Sequence, residues 1–360
     1  MTRAYLDHAS TSPLRPHVLE AMLPYFADQF ADPGRMHTEA RMTRAAVEHA
    51  REQVAAFVGA RPREVVFTSG GTEARNAAHH WVRGHVVTTA VEHSSVREAI
   101  ARATDDVTVV GVDREGRVDP AAIAAAIRAE TVLVSVQLAN HEVGTVQHLD
   151  FDRPAGCLLH VDACAAIGHL DFAFRDLGAD LCSITAHPFG GPKGVGALIV
   201  RRGVRVPPFV LGGAQERARR AGLENVPAIV GFGATVAELD VSAEAARSRA
   251  LTARAARVLH VDGVERFGAG DLPNLLCIGV AGIEAEPILL ALDQRGVAVH
   301  SGSACSSESF EPSPVLEAMG VDALHSLRVS VGWNTSDADV DRFAIALPEV
   351  ITHFRRGAHQ

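Results

Sequence analysis

The chain has 360 residues, of which 47% are hydrophobic and 5% aromatic, with a formal net charge of −9. That length supports a large core and two lobes. The acidic balance speaks against general affinity for nucleic acid or an anionic membrane, although clusters such as Arg217, Arg219 and Arg220 can still act locally.

A helical pattern runs from Arg41 to Phe57 and ends near Gly59. Seven apolar runs follow: 65–67, 85–88, 107–112, 132–136, 158–161, 181–184 and 195–200. Helical or loop stretches separate most of them, the pattern of a wound α/β sheet. Seven such runs predict one large, mostly parallel sheet with both faces covered. After Gly231 the pattern changes. A long Ala- and Arg-rich helix is expected over Ala234–Leu259. Strands follow at Leu275–Val280, Val297–His300 and Leu327–Val331, with a helix at Glu286–Arg295. This predicts a large domain over residues 15–250 and a smaller α+β domain over 251–360, joined by residues 1–14. No apolar run approaches the ~20 residues of a membrane helix. Met1 to Leu6 lacks the apolar stretch of a secretory signal. The five cysteines (157, 164, 182, 277 and 305) form no CxxC pair, so a reduced, cytoplasmic protein is expected.

Four segments carry candidate chemistry. In Phe67-Thr68-Ser69-Gly70-Gly71-Thr72-Glu73 a strand enters a Gly-rich turn and a helix. Free N–H groups and the helix dipole make such a turn an anion site, though many are purely structural. Asp162 ends the apolar strand Leu158–Val161, where open α/β sheets bind ligands; a plain helix cap is the other reading. Cys305 sits in the small, mostly polar segment Ser301–Ser307, unlike Cys277 in its apolar strand, and reads as a reactive thiol. Arg328 lies inside a strand pattern. Its fork requires a partner, either a substrate carboxylate or a structural acid.

Together these segments resemble the cysteine desulfurases of the class-V aminotransferases. The resemblance runs nearly end to end, from Tyr5-Leu6-Asp7-His8-Ala9-Ser10-Thr11-Ser12-Pro13 through His37, 69–73, Glu92-His93, 140–144, 161–163, 187–194 and 212–227 to 301–305 and Arg328. It implies fold type I of the pyridoxal phosphate (PLP) enzymes: a large domain with a seven-stranded, mostly parallel sheet, a smaller α+β domain, and a homodimer. It also implies roles at matching positions. Gly71 and Thr72 lie at the phosphate turn, with Thr185 and His187 also on the phosphate side. His93 stacks on the cofactor ring, and Asp162 pairs with its pyridinium nitrogen. Cys305 accepts sulfur from the substrate cysteine, and Arg328 binds the substrate carboxylate.

Other matching positions are altered. Pro188 stands where the family carries the lysine that holds PLP as an aldimine. Ala165 replaces a Gln and His141 an Asn on the ring-hydroxyl side. Leu223 replaces a Thr that reaches the phosphate across the dimer interface. Lys193 is the only lysine in the chain, and arginine cannot form a Schiff base at neutral pH. PLP is therefore expected without covalent attachment, or not at all. The chain reads as a desulfurase-like protein of sulfur metabolism that relays persulfide sulfur or binds a sulfur-acceptor protein through Cys305. Two readings stay open beside it. One is an active PLP enzyme acting on cysteine or a related amino acid, through Lys193 or unanchored cofactor. The other is a pocket reused for a metal or another ligand by His93, His141, Asp162, Cys164 and His187.

Overall fold

The computed structural model describes residues 3–301 and 312–357. Thirteen strands are described: β1 (Ala4–Tyr5), β2 (Val65–Thr68), β3 (His85–Thr89), β4 (Val107–Val110), β5 (Thr131–Gln137), β6 (Leu158–Asp162), β7 (Leu181–Thr185), β8 (Gly196–Val200), β9 (Val264–Phe267), β10 (Leu275–Val280), β11 (Val297–Ala298), β12 (His300–Ser301) and β13 (Ser326–Ser330). Seven form one sheet in the order β2-β8-β7-β6-β5-β3-β4. Only β8 runs against its neighbours; the other six share a direction.

The central strands β5, β6 and β7 are almost wholly buried, as expected of strands covered on both faces. One face carries the Thr38–Phe57 and Val226–Ala237 helices, whose Val47, Val54, Ile229 and Phe232 join the main core. His37 caps the first of these, its Nδ1 accepting from Ala40 N, so the helix starts one turn earlier than the apolar pattern indicates.

A second sheet, β12-β13-β10-β9, is antiparallel and has its own core around Leu276, Ile278, Leu327, Val329 and Phe343. β1 pairs with β11, and Leu6 enters this second core. The long helix expected over Ala234–Leu259 is a correction. It is two helices, Val226–Ala237 and Val241–Ala255, bent by 81°. Asp240 starts the second one. Its carboxylate accepts from Ala243 N and Ser242 Oγ, so the chain leaves helical geometry there. Val297–His300 also differs, forming two short strands.

Candidate active site

The carboxyl ends of the parallel strands place the site. β2 feeds the Gly71–His79 helix, β6 ends at Asp162 and β7 ends at Thr185. Between these ends and the second sheet lies a cavity of about 270 Å³. Gly71, Thr72, His93, His141, Ala165, Thr185, His187, Pro188 and Arg328 all line it. Residues distant in sequence thus meet at one cavity, with Asp162 linked to it through Arg75. Leu223, expected to act across a dimer interface, is 65% exposed and lines a separate hollow with Arg220 and Asn225. Cys305 lies outside the described residues.

At the helix end, Gly70 supplies no capping side chain, so the first-turn N–H groups stay available. Thr185 donates to Val195 O at 3.2 Å, while buried His187 Nδ1 has no partner. His93 caps the Ser94–Ala103 helix by accepting from Ser95 N. Its ring lies 4.9 Å from that of His141. Burial holds both imidazoles neutral, helped by nearby arginines, with His141 pushed down to about 3.

Pro188 occupies a 3₁₀ turn, His187–Phe189. The turn is stitched to the N-terminal segment: Ser12 N donates to His187 O, and Ser12 Oγ donates to Pro188 O at 2.6 Å. Lys193 is exposed and outside the cavity lining, its Nζ donating to Ser12 O at 3.0 Å. No lysine lines the cavity.

Two arginines dominate the floor. Arg328, 1% exposed, donates to Asp7 at 2.9 Å, to Ser10 Oγ at 2.6 Å and to His141 O at 3.0 Å. Of the two partners considered for it, the acid is present within the chain. Its Nε keeps no partner. Arg75, unflagged in the sequence, lies one helical turn after Thr72. Its Nε donates to Asp162 Oδ2 at 2.7 Å, and the pair is almost wholly buried. Asp162 Oδ1 accepts from Cys164 N at 3.1 Å. Burial would raise the Asp162 carboxyl, but Arg75 holds it below the usual range. His169 and Asn274 were also missed. Both are buried, line the cavity and leave one polar atom each unpartnered. Among the described residues no group of three or more His, Cys, Asp or Glu side chains could hold a metal ion, which weighs against the metal reading.

The Aminotransferase class-V family model matches residues 4–343. The chain is 40% identical to a cysteine desulfurase IscS of Dictyoglomus turgidum, covering 98% of this chain and 95% of that one. The chain belongs to this family, and within it to the cysteine desulfurases. A cysteine desulfurase IscS of Anaeromyxobacter is 41% identical, over 98% of this chain and 93% of the other. Among solved structures, a NifS-like protein superposes with a TM-score of 0.90 at 30% identity, covering 98% and 100% of the two chains. A structure of SspA in complex with cysteine gives 0.80 at 29% identity, covering 92% and 99%. The family is the PLP-dependent cysteine desulfurase group, and the fold is its fold type I.

Proposed function

We propose that this desulfurase relative works without covalently bound PLP, as a persulfide relay or sulfur-binding protein acting through Cys305. The observation that carries the reading is Pro188 on the cavity wall together with the exclusion of Lys193 from it. A Schiff base requires a primary amine, and the lining has none. The phosphate side retains Thr72, Thr185 and His187, but the residues present do not fit an aldimine-bound cofactor.

The relay needs no cofactor. The Cys305 thiolate attacks the outer sulfur of a donor persulfide. The S–S bond to the donor breaks, the donor leaves as a thiolate and takes up a proton, and Cys305 becomes the persulfide. A second thiolate, on an acceptor protein or a low-molecular-weight thiol, takes the sulfur by the same exchange. Family membership supports a homodimer and a sulfur-acceptor partner.

The test incubates the purified protein with a glutathione persulfide donor and reads mass. Gain of one sulfur atom on Cys305, absent in C305S, supports the relay. Alanine released from free cysteine by the protein as purified would replace this reading with an active PLP enzyme.

A further inference from the structure

Arg75 lines the cavity and pairs with Asp162, the residue that the family resemblance matches to the partner of the pyridinium ring. We propose that Arg75 is a built-in substitute for that ring: its guanidinium pairs with Asp162, fills the ring site from within and excludes pyridoxal compounds. This deepens the reading above, on which it rests.

Two hydrogen bonds fix the Arg75 side chain in place. Its Nε sits 2.7 Å from Asp162 Oδ2, and the remaining Asp162 oxygen is taken by Cys164 N. Both carboxylate oxygens therefore have donors. Its Nη1 lies 3.3 Å from Ser95 Oγ, which is 2.9 Å from His93 Nδ1. The histidine expected to stack on a ring is thus tied to the arginine through one hydroxyl. Packing beside Gly71 completes the floor. A Cβ there would meet Cys164 Sγ at 2.8 Å and Arg75 Cζ at 3.8 Å.

The backbone of Arg75 is anchored as firmly as its side chain. His79 Nδ1 lies 2.6 Å from Arg75 O, and a carbonyl can only accept, so Nδ1 carries the proton. His79 Nε2 then accepts from Ser135 Oγ at 2.9 Å. Ser135 Oγ in turn accepts from His160 Nδ1, and His160 Nε2 accepts from Ser183 Oγ, each at 2.9 Å. One carbonyl thus sets the tautomers of a buried chain that crosses β5, β6 and β7. Burial keeps both imidazoles neutral. Moving Arg75 would disturb that chain and strand the Asp162 charge.

The probe is pyridoxine 5′-phosphate, which carries the ring and phosphate but no aldehyde. It cannot react with Lys193 or the N-terminus, so it separates ring binding from covalent attachment. Calorimetry and thermal unfolding are run on the full chain, on R75A and on R75Q. The wild-type protein is expected to show no saturable binding and no rise in Tm. The variants should bind one molecule per chain at least about tenfold more tightly, because the charge-assisted hydrogen bond that Asp162 Oδ2 makes to Arg75 becomes available to the ligand. Their Tm should rise with ligand. In D162N/R75A that gain should disappear.

Saturable one-to-one binding to the wild-type protein would overturn the proposal. So would a folded R75A or R75Q that binds no better than wild type. The second outcome leaves the cofactor-free reading standing and removes only Arg75 as its cause. An aldimine in the protein as purified would remove that reading itself.

Discussion

Arg75 and Asp162 form a buried ion pair, Nε to Oδ2 at 2.7 Å, directly beneath the cavity. Breaking either side strands a charge in the core. R75A and D162A should each cost about 3–5 kcal/mol. The double variant should cost less than the sum, because it buries no lone charge. Chemical denaturation of the four proteins checks this; additive losses would show that the two side chains act separately.

The same pair has a pH signature. Asp162 is held below its ordinary 3.8, so its contribution is present above that pH and lost as the pH falls through the lower folded value. D162N should flatten the acid limb of the stability profile. An unchanged acid limb would contradict the assignment.

Glu92 carries the opposite sign. Burial pushes its carboxyl up to about 8, although Thr89 Oγ1 and Gln137 N donate to it. The folded state keeps this proton while the unfolded chain, near 4.5, releases it. Stability should therefore fall as pH rises from about 5 to 8, by at least about 1 kcal/mol from this group. E92Q keeps an acceptor for both donors and should remove that slope in a Tm-versus-pH series.

Gly71 and Cys164 share one space. G71A should cost about 1–3 kcal/mol through overpacking, since the added methyl would meet Sγ at 2.8 Å. C164A in the same background should recover most of the loss. Equal stability of G71A and wild type would show that the sulfur moves aside freely.

Restoring the amine alone should not restore the cofactor. P188K places a lysine on the cavity wall while Arg75 still covers Asp162. Incubated with PLP, P188K should form little of the visible aldimine band, and P188K/R75A should form more. A full band in P188K alone would argue that Pro188 is the sole barrier.

Much of this architecture was legible in the residues. The seven apolar runs became the seven strands, since buried parallel strands must be apolar on both faces. Thr72 and Thr185 met at one cavity, with Asp162 behind Arg75 on its lining, because carboxyl ends of parallel strands converge. The helix over 234–259 failed at Asp240, whose capping role was outweighed by the Ala- and Arg-rich composition around it. Arg75 escaped notice because its partner is 87 positions away and its helix reads as an ordinary polar one. For Arg328 both kinds of partner were foreseeable, but only tertiary structure shows Asp7 beside it.

The central claim is that no lysine of this chain holds PLP in the cavity. The most direct measurement is the visible spectrum of the purified protein with added PLP, followed by borohydride reduction and peptide mass spectrometry. The account predicts no stoichiometric aldimine band and Lys193 without a pyridoxyl label. A band that borohydride abolishes, with Lys193 labelled one-to-one, would contradict it.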